Sequence, residues 1–160
     1  MHPTRNDLPE KARAAVCALL NDRLADTLDL KMQAKQAHWN VKGPDFFQLH
    51  ELFDKIAEHA EEHADLIAER ITALAGTAEG TVQVVVQRSK LPKYPLDITR
   101  GLDHVNALAN SLAAQAKAVR AAIDQSNELR DADTADLFTE ISREVDKDLW
   151  FVEAHVQADR

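Results

Sequence analysis

Residues 35–71 read KQAHWNVKGPDFFQLHELFDKIAEHAEEHADLIAERI, and the run Lys42–Asp45 interrupts an otherwise helical pattern. Glycine and proline break helices, so the run predicts a turn between two helices. The first helix should end near Val41 and the second should begin near Phe46. The sequence therefore predicts a helical hairpin at this point.

Cap and stop signals extend the helical prediction to the rest of the chain. The predicted bounds are Asn6–Asp7 as a cap with Pro9 in the first turn, Ala75 before the stop Gly76, Asp97 to about Ile123, and Asp133 or Thr134 to about Gln157. Between the second and third helices, Val82–Val86 favours a strand by composition, but a single strand has no partner, so a short helix or extended crossover is as well supported. Four helices with one long connection predict an all-α, ferritin-like bundle. We expect one domain, 1–160, with residues 1–7 as a short tail.

Composition limits the class of protein. The formal charge is −8, from 27 acidic and 19 basic residues, so the surface repels nucleic acid and attracts cations. Cys17 is the only cysteine, which excludes an intrachain disulfide and is typical of a reducing cytosol. No apolar run approaches the roughly 18 residues of a membrane span. These features predict a cytoplasmic protein.

Within the second helix, His59, Glu62 and His63 fit the His-x-x-Glu-His pattern of some zinc peptidases. That function needs a third ligand and a substrate cleft, and the sequence indicates neither. A helical projection puts both histidines on the far side of the core-facing stripe from Asp65 and Glu69, so the two groups cannot share a metal ion. We expect the histidines to face solvent or an interface.

An acidic stripe on the same helix offers a different metal site. At ~100° per residue, Asp54, Asp65 and Glu69 lie on one face with His50. His38 precedes the turn, so the hairpin should bring it level with His50. Neutral imidazole and carboxylate together suit iron. These five residues are candidate metal ligands.

No single ion can reach both ends of this stripe within one chain. A rise of ~1.5 Å per residue puts Asp65 ~22 Å and Glu69 ~28 Å from His50. The stripe is nevertheless symmetric about its midpoint. A two-fold axis there would place His50 opposite Glu69, and Asp54 opposite Asp65, in a second copy of the helix.

Ordinary ion pairs are the alternative use of Asp65 and Glu69. Arg23 on the first helix lies near the level of Asp65, and Arg70 follows Glu69 directly. Salt bridges to these arginines are therefore available. From these patterns alone, a metal site and ion pairs are equally supported.

The quoted stretch closely resembles the signature region of the Dps family, the bacterial mini-ferritins first named as DNA-binding proteins from starved cells. NDLP at 6–9, KLPKYPLDI at 90–98 and TADLFTEISREVDKDLWFVEAHVQ at 134–157 also resemble the family. The similarity extends over almost the whole chain. It implies a four-helix subunit with a short helix in the second crossover, assembled into a hollow homo-dodecamer.

The resemblance also implies an activity. Dps proteins oxidise Fe(II), preferably with hydrogen peroxide, store the ferric mineral and protect DNA from oxidative damage. The resemblance therefore implies iron as the metal and no organic cofactor. The resemblance implies that the ferroxidase ligands are His38 and His50 from one subunit, and Asp54, Asp65 and Glu69 from the other side of the two-fold interface or its vicinity. Trp39 matches a tryptophan that intercepts radical by-products, although a large aromatic near an interface can also be a packing anchor.

Direct DNA binding is the doubtful part of the resemblance. Family members that bind DNA often have a flexible tail rich in lysine and arginine, whereas the segment before the first helix offers only Arg5, with Lys11 and Arg13 already in the helix. The negative net charge also repels phosphate. The alternative function is a nucleoid-compacting structural protein in which the iron site is secondary.

Acidic residues near the start of the fourth helix are candidates for a pore. Asp131, Asp136 and Glu140 could attract cations into a hollow shell. They could equally stabilise a solvated helix N-terminus.

Overall fold

The computed structural model describes residues 1–157, which contain five α-helices. Their bounds are α1, Glu10–Asn40; α2, Phe46–Ala73; α3, Val82–Arg88; α4, Gly101–Glu128; and α5, Ala132–Gln157. Four long helices with a short helix between the second and third confirm the predicted all-α bundle. None of these helices combines the length and the apolar character that crossing a membrane requires. Residues 158–160, the end of the predicted domain, lie outside the described residues.

The apolar stripe of α2 lies at the centre of the bundle. Phe53, Ile56, Ile67 and Ile71 are buried and belong to one apolar cluster with side chains of the other three long helices. α1 packs mainly against α2, and α4 packs mainly against α5. Because this stripe must face inwards, it fixes the rotation of α2 about its own axis. The directions of the acidic stripe and of the α2 histidines follow from that rotation.

The turn between α1 and α2 confirms the predicted hairpin. Gly43 has a φ of 120°, a backbone conformation that favours glycine. The Lys42 N–H donates to the Thr99 carbonyl oxygen at 3.2 Å. This bond ties the hairpin turn to the segment before α4.

Several predicted bounds are wrong. α1 begins at Glu10 after Pro9 rather than after an Asn6–Asp7 cap, α4 begins at Gly101 rather than Asp97, and α4 ends at Glu128 rather than near Ile123. The start of α4 is delayed because the preceding residues extend alongside the hairpin turn, where a β-bridge forms. The end of α4 lies later than predicted because polar residues after Ile123 can continue a helix on the side that faces solvent.

The crossover between α2 and α4 contains a helix rather than a strand. The β-branched run Val82–Val86 lies in α3. Strand propensity depends on packing against a neighbouring strand, and the elements of residues 1–157 include no such neighbour. Val82 and Val86 are largely exposed, so the single chain leaves apolar surface uncovered here.

A close contact between α1 and the end of α2 requires glycine at position 76. A Cβ there would lie 2.6 Å from Sγ of Cys17, which is buried. The left-handed residue that turns the chain is Ala75, with a φ of 64°, rather than Gly76. Gly76 is thus a packing position, and α2 ends slightly earlier than predicted.

Candidate metal centre

His38 and His50 form a contacting pair at the hairpin. Their ring centroids are 3.7 Å apart and their planes are inclined by 21°. Nδ1 of His38 lies 2.8 Å from the carbonyl oxygen of His50, and Nδ1 of His50 lies 2.9 Å from the carbonyl oxygen of His38. The predicted placement of the two imidazoles at one level of the hairpin is confirmed.

These reciprocal contacts determine the tautomer of both rings. A carbonyl oxygen only accepts hydrogen bonds, so each Nδ1 carries a proton and donates it. In the neutral ring, Nε2 then keeps the lone pair that can bind a metal ion. Metal-binding histidines commonly have the second nitrogen held in this way, because the bond orients the ring. The pair is therefore preorganised to offer two ligand nitrogens.

Asp54 lies beside this pair and is held by Lys35. Lys35 Nζ donates to Oδ1 of Asp54 at 2.5 Å, and the same oxygen lies 4.0 Å from Nδ1 of His38. The hydrogen bond from Lys35 is the main cause that lowers the pKa of Asp54, so this carboxylate is charged in the neutral range. Lys35 Nζ also lies 5.9 Å from the ring centroid of Trp39, which is 60% exposed. Lys35 is a neighbour of the site that the sequence-based prediction does not include, although its position one turn before Trp39 is a signal for it.

Asp65 and Glu69 are exposed further along α2. The ion pairs considered for them are wrong, because Arg23 pairs within α1 at 2.8 Å and Arg70 pairs with the start of α5 at 2.7 Å. Within residues 1–157, neither carboxylate takes part in an ion pair. Like charges one helical turn apart repel. Within the described residues, no positively charged side chain pairs with Asp65 or Glu69 to offset the repulsion between them.

One chain does not assemble the five predicted ligands. His38, His50 and Asp54 meet at the hairpin end of α2, whereas Asp65 and Glu69 lie towards its other end. No group of three or more His, Cys, Asp or Glu side chains in the described part of the chain is arranged to hold a metal ion as it stands. The assignment of these residues as ligands stays a prediction.

His59 and His63 face α5, so the expectation of solvent or an interface is wrong. Nδ1 of His59 lies 3.0 Å from both carboxylate oxygens of Asp148, and Nε2 of His63 lies 2.9 Å from Oε2 of Glu144. The helical projection separated these histidines from the acidic stripe but could not show which helix covers them. Glu144 and Asp148 of α5 have the same four-residue spacing as the two histidines, and this match is the signal that the sequence offers.

Asp131 is buried, which excludes it from the predicted pore. It accepts a hydrogen bond from Arg70 at 2.7 Å and caps α5 by accepting the Thr134 N–H at 3.1 Å. The alternative interpretation is confirmed for this residue in that it partners the helix N-terminus, but it is wrong in that this residue is not solvated. Asp136 and Glu140 are exposed, and their place in a pore stays a prediction.

Comparisons with known proteins indicate one family. A family model described as a ferritin-like domain matches residues 17–160. The DNA protection during starvation protein of Agrobacterium fabrum is 49% identical over 156 residues, covering 98% of this chain and 96% of that protein. The chain belongs to the Dps family.

Solved Dps structures match the fold over nearly the whole chain. Mycobacterium smegmatis Dps in its tetragonal form gives a TM-score of 0.91 at 30% identity, covering 96% of this chain and 94% of that chain. Dps from Microbacterium arborescens in its high iron form gives 0.87 at 33% identity, with coverages of 97% and 99%. A Vibrio cholerae Dps protein, described as a member of the ferritin-like diiron-carboxylate superfamily, gives 0.90 at 24% identity, with 98% of both chains covered, and supports the fold alone.

Proposed function

We propose that this Dps family member oxidises Fe(II) with hydrogen peroxide at sites shared between subunits and stores the ferric product. The observation that carries the proposal is the His38–His50 pair, whose Nδ1 atoms are held by carbonyl oxygens so that Nε2 can bind a metal ion. Imidazole with carboxylate is a ligand set that suits iron. The similarity to the high iron form of the Microbacterium arborescens protein supports iron as the metal.

The length of α2 is the reason to expect a second subunit in each site. With ~1.5 Å per residue, Asp65 and Glu69 are too far from His50 for one ion to reach both ends of the helix. In an antiparallel second copy of α2, Glu69 would face His50 and Asp65 would face Asp54. A two-fold axis generates two such sites together. The carboxylates that lack an ion pair within the described chain would then neutralise the substrate iron.

Exposed apolar side chains support assembly. Met32, Val82 and Val86 are exposed and border one apolar groove between α1 and α3. Grouped apolar surface of this kind commonly marks an interface. We infer that other subunits cover it in the homo-dodecamer that the family resemblance implies.

The proposed reaction transfers one electron from each of two Fe(II) ions to one peroxide. The balanced equation is 2 Fe²⁺ + H₂O₂ + 2 H₂O → 2 FeO(OH) + 4 H⁺. Paired transfer avoids the single-electron step that releases hydroxyl radical, and the exposed Trp39 is proposed to intercept radicals that escape. Removing iron and peroxide together would protect DNA in the bacterial cytoplasm.

Anaerobic titration of the iron-free protein with Fe(II), followed by peroxide, tests this function. We expect two Fe(II) to be oxidised per peroxide, measured by absorbance of the ferric product, and a mineral core inside the assembly, measured by particle sizing. Oxidation no faster than in protein-free buffer, or ferric product that forms only outside the protein, would contradict the proposal.

Direct DNA compaction is the alternative function, and the N-terminal segment disfavours it. The His2 N–H donates to the Ala75 carbonyl oxygen at 2.8 Å, and the buried Arg13 donates to the carbonyl oxygens of Leu8 and Leu74. The segment is thus docked and offers phosphate little positive charge. We expect no shift of supercoiled DNA in a gel at moderate salt without divalent ions. A shift under those conditions would favour the alternative.

A further inference from the structure

A second group of histidines and carboxylates lies between α2 and α5, away from the hairpin pair. It consists of His59 and His63 from α2 and Glu144 and Asp148 from α5. His63 and Asp148 are buried, His59 is nearly so, and the Glu144 side chain is 36% exposed. Solvent therefore reaches this group through Glu144.

Asp148 determines which nitrogen of His59 is available. Both oxygens of Asp148 lie 3.0 Å from Nδ1 of His59, so Nδ1 carries a proton and donates it. Nε2 of the neutral ring is left with a lone pair and lies 3.7 Å from Oε1 of Glu144. A carboxylate that orients a histidine through its other nitrogen is the supporting arrangement found around many zinc sites.

Glu144 lies between the two imidazoles. Its Oε2 is 2.9 Å from Nε2 of His63, and its Oε1 faces Nε2 of His59. Histidines four residues apart lie on one face of a helix, which is the spacing used by helical zinc sites. Two imidazole nitrogens and one carboxylate thus lie near one another between two helices, although within residues 1–157 they are not arranged to hold a metal ion as they stand.

We propose that Nε2 of His59, Nε2 of His63 and the carboxylate of Glu144 bind one divalent transition-metal ion within each subunit, and that Asp148 is a positioning residue for His59. Two imidazoles and one carboxylate with open positions form a ligand set used by zinc and by non-haem iron. This site contains none of the ligands proposed for iron oxidation and does not depend on that function.

A small movement of Glu144 would complete the site. Ligands bound at ~2.0–2.2 Å from zinc in a tetrahedral shell lie roughly 3.3–3.6 Å from one another. The nitrogen–oxygen distances of 2.9 and 3.7 Å lie on either side of this range, and Glu144 is the most exposed member of the group, with room to adjust. The ion would take the place of the proton that Nε2 of His63 donates to Glu144, and that proton would move to Nδ1 of His63, so that the ring stays neutral.

Charge also favours a bound cation, because the buried Asp148 carboxylate lies directly behind the His59 ring. A divalent ion on the far side of the His59 ring would polarise the ring and strengthen its hydrogen bond to Asp148. Histidines and carboxylates are not needed merely to hold the two helices together. Apolar side chains of similar volume commonly stabilise a fold as well as buried ion pairs do.

Metal binding in a background without the hairpin site tests the inference separately from iron oxidation. The background carries His38→Ala, Asp65→Ala and Glu69→Ala. We expect it to bind one Zn²⁺ per subunit by calorimetry and one Co²⁺ by visible absorbance. X-ray absorption of the Zn²⁺ form should show two imidazole ligands.

Two further substitutions in this background separate a metal site from a hydrogen-bonded link. Glu144→Gln keeps an acceptor for His63 but loses the charge, and Asp148→Asn weakens the orientation of His59. We expect Zn²⁺ binding to weaken about 10–100-fold for Asp148→Asn and at least as much for Glu144→Gln.

The matched control is His155→Gln, because among residues 1–157 the hydrogen bond of this α5 histidine is to the Phe151 carbonyl oxygen of its own helix, at 2.9 Å. Its Zn²⁺ affinity should equal that of the background. Absence of two-imidazole coordination in the background would overturn the inference without any change to the cluster itself. Equal Zn²⁺ affinity in background and Glu144→Gln would overturn it as well.

Discussion

An Asp65→Ala, Glu69→Ala variant is expected to assemble normally and to lose peroxide-driven oxidation of Fe(II). Both side chains are exposed and lack ion pairs within residues 1–157, so their removal should leave the fold intact. Loss of a residue that only supports a metal ligand costs about 10–100-fold, and loss of two ligands per site should reduce the oxidation rate by on the order of 100-fold or more. Stopped-flow absorbance of the ferric product measures the rate.

Glu58→Ala, Glu62→Ala is the matched control, since these exposed carboxylates have the same four-residue spacing on the same helix. Its oxidation rate should stay close to that of the unmodified protein. If the Asp65→Ala, Glu69→Ala variant assembled and oxidised iron as fast as this control, the two carboxylates would have no part in the reaction.

Co-expression of two inactive chains gives a sharper form of the same test. One chain carries His38→Ala and His50→Ala, and the other carries Asp65→Ala and Glu69→Ala. In a mixed two-fold pair, one site contains both defects and the other contains neither, so random pairing should restore about a quarter of the sites. A site built within one subunit would give no recovery.

Arg70→Ala is expected to destabilise the fold by about 3–5 kcal/mol, because it leaves a buried carboxylate without its partner. Arg70 donates to Asp131 at 2.7 Å and to Oγ1 of Thr134 at 2.9 Å. Asp131 is buried and also caps α5 through the Thr134 N–H. Denaturant unfolding at equal subunit concentrations measures the change in the free energy of unfolding.

Arg120→Ala provides the comparison for this prediction. Arg120 pairs with Asp146 at 2.7 Å, but both side chains are about half exposed, so its loss should cost only about 0–1 kcal/mol. Equal losses for the two arginine variants would show that Arg70 contributes no more than a surface ion pair.

Local signals explain which parts of the fold could be predicted from the sequence. The hairpin depends on Gly43 and its neighbours, which disfavour a helix wherever they occur. The start of α4 was misplaced because Asp97 has the chemistry of a cap, while the chain there is held extended beside a turn that lies far away in sequence. A run of valines likewise cannot reveal that no strand is available to pair with it.

The features of the site likewise differ in whether local sequence signals determine them. The contact of His38 with His50 follows from their similar distances to the turn, so it was predictable. The partners of His59, His63 and Arg70 belong to α5, and helical periodicity within α2 carries no information on which residues of another helix face it. Contacts between subunits are still harder to predict from the sequence of one helix. The symmetric spacing of the candidate ligands along α2 was the only signal for them.

The contact that requires glycine at position 76 has a chemical consequence for a protein that we propose consumes peroxide. Burial raises the pKa of the Cys17 thiol, and peroxide attacks the thiolate rather than the thiol. Packed against Gly76, the only thiol of the chain stays protonated and shielded, so the peroxide that is meant to oxidise iron finds no competing thiolate there.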